Sequence, residues 1–408
     1  MKVTNSKFNI QAFLLALCVF LSVPPYFLWH KQGVFLLGHL VVWYIPMAVA
    51  VIGYLNRDKS SRKTLYLIFF LAIILLSSLL HSTGLQVIFT LCLAIVPFLK
   101  KEFSKITFEY FTTILAIVFG ISLFVFFGVL LGVGLPNYTL EPLNDLKKYT
   151  YTAYPMLVVP DVIMMDDLFA AFRFHGPFDE PGVVGTICSL ILFIGRYNLR
   201  KWQNIIIFVA GIASLSLAFW GMSIIYGGII MLRHNKRAVL AFLIVMPLIY
   251  YETKNIEVLN ELVYSRFEYD SQTKQLKGNT RQDDELKRFI ISNITSPDML
   301  WGNSKLIEKK GYEGHFSIYI GVLIHGVVLL LLYAIFFVAY ASSMQMKREH
   351  FLLFLMLLLA TLYQRPQLFD LIFIYLFSTF IITNSKSSRR TVVSSSKPQL
   401  DYGIGSGV

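Results

Sequence analysis

The chain has 408 residues, 56% of them hydrophobic and only 15% charged, with a mean hydropathy of +0.63. Soluble domains average roughly 45–50% apolar and about 25% charged residues, so this composition excludes an ordinary water-soluble enzyme and points to a polytopic membrane protein. The formal charge of +12 fits basic cytoplasmic loops and gives no reason to invoke nucleic acid.

A spanning helix needs about 20 mostly apolar residues. In chain order, such runs fall near 8–28, 34–55, 64–81, 84–99, 107–135, 182–195, 203–219, 220–232, 238–251, 315–341, 350–363 and 366–383. That predicts an all-α membrane protein of about twelve spans, in one integral domain over 1–385 with a Ser-rich cytoplasmic tail over 386–408. The first run follows Lys2 and Lys7 as a secretory leader would, but no small-x-small cleavage site follows, so it is read as a span. Cys18, Cys92 and Cys188 all sit in apolar runs and read as small core residues.

With the N-terminus inside, the inner loops carry Arg57, Lys59, Arg62 and Lys63, then Lys100, Lys101 and Lys105, then Arg196, Arg200 and Lys201. Arg233, Lys236 and Arg237 follow, then Lys347 and Arg348, and the basic tail closes the series. Every inner loop is basic, which predicts both termini in the cytoplasm. Two outer loops are long, about 136–181 and 252–314; the first holds seven carboxylates against three basic residues. Long connections on one face suggest a site built there.

The first loop ends in RFHGPFDEPG (173–182), which packs four ionisable residues against the next apolar run. Such charges cost roughly 2.5–3.5 kcal/mol each at a bilayer centre, so they belong in water or a polar cavity. Pro181 suits a first helical turn. Glu180 then reads in two ways: a helix-start charge favoured by the dipole, or a carboxylate at a membrane-edge cavity that accepts a proton. Arg173 is either a snorkelling side chain or a planar fork for phosphate. His175 reads as a solvated loop histidine.

In the second loop, GNTRQDDELKRFIISNI (278–294) predicts a helix started near Thr280, with Arg281 in its first turn as an anion ligand. Arg288 reads as the partner of Asp284 in an i,i+4 surface pair. A turn-rich stretch, SPDMLWGNSK, leads into GYEGHFSIYIGVLIHG, where His315 stands at the mouth of a span. No HExxH, P-loop or dinucleotide fingerprint is present, and paired acids such as Asp166–Asp167 do not make a metal set.

These pieces resemble the Wzy-type O-antigen polymerases and, more distantly, the O-antigen ligases. RFHGPFDEPGVVG resembles the Arg-to-Pro-Gly stretch that opens the span after the first loop; the 280–304 segment resembles the Arg-initiated loop helix, and GHFSIYIGVLIHG the His-headed span that follows. In the ligase branch the histidine is usually followed by Asn, whereas Phe316 follows His315 here. The resemblance implies a GT-C-like membrane glycosyltransferase of the bacterial inner membrane, with two large periplasmic loops and a periplasmic site. Its substrate would be a polyprenyl-diphosphate-linked oligosaccharide, with no metal or other cofactor. Arg173 and Arg281 would hold the diphosphate, with His175, Asp179, Gly182 and Arg288 beside them in the substrate-binding set. His315 or Glu180 would deprotonate the acceptor hydroxyl. Membrane lipids and a chain-length regulator are the expected partners. The rival expectations are an O-antigen ligase and a lipid-linked glycan transporter; the chain lacks the internal repeat and the many intramembrane charges that a transporter would show.

Overall fold

The computed structural model describes residues 6–29, 35–81, 91–141, 150–161, 173–234, 284–303, 318–365 and 370–385, with short pieces at 248, 251–252, 254–255, 269–270, 275–276 and 305–306. The protein is mostly helical. Helices α1 (Ser6–Leu21), α2 (Phe35–Leu55), α3 (Ser61–His81) and α4 (Lys101–Leu130) come first. α5 (Pro181–Ile194), α6 (Trp202–Ala213) and α7 (Leu217–His234) follow, then the short α8 (Asp284–Ser292) and α9 (Pro297–Trp301). α10 (Ile318–Ser343), α11 (Arg348–Gln364) and α12 (Leu371–Asn384) complete the described helices.

The all-α expectation needs one correction. The first long loop contains a three-stranded antiparallel sheet, β1 (Tyr138–Leu140), β2 (Tyr151–Tyr154) and β3 (Leu157–Pro160), with Tyr138 opposite Ala153 and Tyr151 opposite Pro160. A two-residue ladder, β4 (Tyr269–Asp270) with β5 (Gln275–Leu276), lies in the second. Tyr151, Ala153 and Val158 of the three-stranded sheet join Tyr26 and Trp29, from the segment after α1, in a small core of their own. The sheet thereby covers one end of the helical bundle.

Several boundaries differ from the hydropathy reading. α1 stops at Leu21, ahead of Pro24 and Pro25, because a residue before proline is pushed out of the helical region. α4 begins at Lys101, six residues before the apolar run, and ends by Leu130. The break between α6 and α7 falls at Ser214–Ser216, with Leu215 in the left-handed region (φ 47°), rather than at 219–220. α12 starts at Leu371, so Asp370 is its N-cap residue and not part of the run. The region expected to span at 238–251 lies almost wholly outside the described residues.

Among the described residues, α4 and α10 are long and apolar enough to cross a membrane, and shorter apolar helices of 10–17 residues accompany them. Many large apolar side chains on the outer faces are exposed, including Phe124 at 82%, Leu79 at 80% and Leu65 at 68%. Inside, α12 is buried from Leu371 to Ile382 and α5 is buried along nearly its whole length. A helix apolar all round belongs in the middle of a bundle. α12 touches α4 through Phe111–Tyr375 (5.9 Å between ring centroids), α10 through Phe337–Phe377 (5.5 Å) and α11 through Phe354–Phe380 (5.9 Å), and it also packs against α5.

α10 is broken at Gly326, whose φ of 78° and ψ of 155° are open essentially only to glycine. The turn after α9 docks into that break. Gly302, with φ 86° and ψ 150°, faces Gly326 so closely that a Cβ on either would lie 2.4–2.8 Å from the other segment's backbone. The Asn303 N–H donates to the Leu323 carbonyl there at 2.6 Å. The SPDMLWGNSK turn is thus fixed to the span that follows it.

Candidate functional site

RFHGPFDEPG is a hub. The Phe174 N–H donates to the Ala213 carbonyl (3.0 Å), and the Gly176 carbonyl accepts from Val158 of β3 (2.9 Å). The Pro177 carbonyl accepts from the Tyr26 N–H (2.8 Å), and the Asp179 carbonyl from the Tyr151 hydroxyl (2.9 Å). Phe174 and Phe178 are buried and meet the Phe119 ring edge-on at 5.8 and 6.1 Å. Gly176 takes φ 57° at a point where a Cβ would stand 3.3 Å from that ring. Five separate elements therefore set the position of this stretch before any ligand binds.

The stretch delivers Glu180 to the start of α5. Its backbone is that of an N-cap residue, yet its side chain makes no capping hydrogen bond. The carboxylate turns instead to Arg365, at the end of α11, with Nη2 to Oε2 at 2.5 Å. Glu180 thus stands at the helix start as expected, but its side chain serves Arg365 and not the free N–H groups of α5. Arg365 is 2% exposed. A guanidinium keeps its charge at any physiological pH, so a buried one needs a carboxylate and further acceptors around it.

A cavity of about 160 Å³ opens beside this pair, lined by Asp179, Glu180, Arg365 and Asp370, with Pro24 and Ile187 among its apolar walls. That volume holds on the order of ten waters, or one polar group of a larger ligand. The two most buried helices, α5 and α12, both begin at it, with Glu180 and Asp370 as their N-cap residues. Neither carboxylate caps its helix. Asp370 lines the cavity and is exposed as a residue, while the protein packed around its carboxyl pushes it up to about 6 against the opposing Arg365 charge. A fixed cation, a paired carboxylate and a second carboxyl that titrates near neutral pH share one small space.

The other residues expected at a site are distributed as follows. Asp179 lines the cavity with Glu180, and Gly182 lies buried in the first turn of α5. Arg173 and His175 do not line it. Arg173 Nε donates to the Ser214 carbonyl at 3.2 Å, which ties the stretch to the α6–α7 break. His175 is 4% exposed and edge-on to Tyr151 at 6.1 Å; it is a buried residue, which corrects the reading of it as a solvated loop histidine. Arg288 is exposed on α8. Arg281 and His315 lie outside the described residues, as do Thr280 and Asp166–Asp167.

Sequence reasoning missed Arg365 and Asp370. The signal that could have found them is two ionisable residues in the short QRPQLFD stretch at the junction of two apolar runs, on the same expected face as both long loops. Among the described residues no three His, Cys, Asp or Glu side chains gather as metal ligands.

At the opposite end of the bundle the cations collect. Arg57 stacks on Tyr54 (4.4 Å) and bridges to Leu99, Lys63 pairs with Asp58 (3.0 Å), and Lys101 donates to the Ser385 carbonyl (2.5 Å). Arg196 donates to Asn384 (2.9 Å).

No family model matches the chain, and neither a curated protein nor a solved structure matches it.

Proposed function

We propose that the chain is a multi-spanning membrane glycosyltransferase of the polysaccharide-polymerase type. It would transfer a growing glycan from its polyprenyl diphosphate to the end of a new lipid-linked repeat unit. The observation that carries this reading is the Glu180–Arg365–Asp370 cavity, built where RFHGPFDEPG meets the end of α11 and the start of α12. Support for the membrane setting comes from the apolar α4 and α10 and from the exposed apolar belt around the bundle. The basic end would face the cytoplasm and the sheet-covered end the periplasm.

In this reading the acceptor hydroxyl oxygen attacks the anomeric carbon of the donor. The new glycosidic bond forms as the bond from that carbon to the diphosphate breaks, and the diphosphate leaves with the electron pair. Asp370 takes the hydroxyl proton, because a carboxyl titrating near the working pH is matched to that task. Glu180 is engaged by Arg365, and the pair fixes the wall against which the acceptor lies. Arg173 and Arg281 remain the proposed partners of the diphosphate, whose developing charge cations stabilise.

A glycan ladder tests the reading. A strain lacking the gene is complemented with the wild type, Asp370→Asn, Glu180→Gln, Arg173→Ala, Arg281→Ala or His315→Ala, with the membrane level of each variant measured. The polymerase reading requires single-repeat product in the deletion strain and a ladder restored by the wild type. Long chains left on the polyprenyl carrier would make the protein a ligase, and an unchanged ladder would remove the enzymatic reading.

A further inference from the structure

A second, larger cavity of about 370 Å³ opens at the basic end, far along the bundle from Glu180, between the ends of α5, α7, α11 and α12. Its wall is mostly apolar: Phe193, Tyr226, Leu352 and Leu353 line it. Leu352 is 47% exposed, so the wall continues onto the outer surface. Arg196 stands at the rim.

The backbone spends unusual conformations to place that arginine. Arg196 and Tyr197 are consecutive non-glycine residues in the left-handed region, with φ of 56° and 48°. Such residues persist only where their surroundings hold them, and they concentrate at ligand clamps. Here the hold comes from Tyr197. Its ring stacks on Tyr226 (4.6 Å, 27°), its hydroxyl bonds Ser223 (2.7 Å) and its N–H donates to the Leu192 carbonyl (2.7 Å). The turn throws the Arg196 side chain across to α11 and α12, where Nη2 lies 2.9 Å from Asn384 Oδ1 and 3.2 Å from His350 Nε2. Both contacts use the same nitrogen. Among the described residues no hydrogen bond engages Nε or Nη1, and the donors on these two nitrogens remain for phosphate oxygens.

The charge around the rim selects the ligand. Arg200 and Lys201 ahead of α6, and Lys347 and Arg348 at the start of α11, are exposed beside the cavity, against the single carboxylate Glu349 on its wall. An apolar slot continuous with the outer surface, headed by a guanidinium in a cationic rim, has the chemistry of an anionic phospholipid: phosphodiester at Arg196 and the neighbouring cations, acyl chain along the wall.

We infer that the Arg196 cavity is a binding site for an anionic phospholipid at the basic end of the bundle. The inference rests on the reading of the chain as membrane-embedded, and it is independent of the chemistry at Glu180. Membrane fractionation comes first: a chain that does not partition into membranes sinks the embedded reading and this site with it. Protein extracted in a mild detergent is then stripped of lipid. Phosphatidylglycerol, phosphatidylethanolamine or phosphatidylcholine is added back, and retained lipid is counted by native mass spectrometry. The wild type is expected to retain one phosphatidylglycerol at least tenfold more tightly than either zwitterionic lipid. Arg196→Gln is expected to lose that preference. Leu352→Trp, which fills the slot from its exposed wall without entering the core, is expected to lose the lipid while leaving Arg196 in place. Soluble glycerol phosphate separates headgroup from lipid: if it competes as well as the whole lipid, the ligand is a free phosphate and the lipid assignment is wrong. Equal retention of phosphatidylglycerol by Arg196→Gln and wild type, or equal retention of all three lipids by the wild type, overturns the site while leaving the embedded reading intact.

Discussion

Removing one member of the Glu180–Arg365 pair should cost more on one side than on the other. The Arg365 side chain is 1% exposed and that of Glu180 is 20% exposed, beside a cavity that admits water. Two unit charges about 4 Å apart attract by about 4 kcal/mol at an effective dielectric of 20, and breaking a buried pair costs about 3–5 kcal/mol because the survivor is stranded. Glu180→Gln removes the carboxylate paired with a buried guanidinium that cannot lose its proton, so about 3 kcal/mol is expected. Arg365→Met leaves a less buried carboxylate that can take up cavity water or a proton, so about half that is expected. The double variant removes both charges and should cost little more than Arg365→Met alone, which leaves a coupling energy of about 2–3 kcal/mol. Unfolding free energies in mixed detergent and dodecyl sulfate micelles measure all four corners of the cycle. A coupling below about 0.5 kcal/mol, the level at which independent sites add, refutes the pair. The reverse order of the single variants refutes the burial argument even if the pair stands.

Three further outcomes follow from particular residues. Gly302→Ala and Gly326→Ala each drive a Cβ to 2.4–2.8 Å from backbone and into a glycine-only conformation. Strain and overpacking together predict a loss of about 2–6 kcal/mol in the same unfolding assay, whereas Gly221→Ala in α7 meets open space and should be neutral or stabilising by up to about 1 kcal/mol. Asp370 is raised from 3.8 to about 6, so its neutral form is favoured in the folded chain; the stability it contributes is complete below about 4 and is lost as pH rises through 6. Thermal midpoints of wild type minus Asp370→Asn should therefore fall between pH 4 and 6 and stay level above, and a flat difference counts against the desolvated carboxyl. If Asp370 is the base, polymer formation should rise through pH 6 in the wild type, and Asp370→Asn should lower it at least a hundredfold at pH 7 with membrane levels unchanged.

The long apolar runs were readable because a helix that must bury itself all round announces its position through composition alone: α4, α10 and α12 stand close to where hydropathy puts them. What hydropathy could not resolve were breaks that carry no glycine or proline. Ser214–Leu215–Ser216 reads as a continuing apolar segment, and only the pairing of Phe174 with Ala213 and of Arg173 with Ser214 shows why the chain turns there. β1–β3 escaped for a related reason. Strands of three or four residues are too short for periodicity to stand out, and this sheet is held by tertiary partners such as Tyr26 and Gly176.

Arg365 was invisible for a different reason, and it changes the account of the site. RFHGPFDEPG carries its own signal, since acids and arginine beside an apolar run demand an explanation wherever they occur. Its partner lies 185 positions away, between two apolar runs, where an arginine before proline looks like an ordinary interfacial anchor. Burial is what separates the two cases: an anchor keeps its guanidinium in water, and Arg365 does not. A buried cation held against a carboxylate, at a point where two largely buried helices begin, is an expensive arrangement that packing alone would replace with apolar side chains. Glu180 alone at a helix start would be a modest local stabiliser. Glu180 with Arg365, facing Asp370 across a cavity, is a polar site that the rest of the bundle is built to hold.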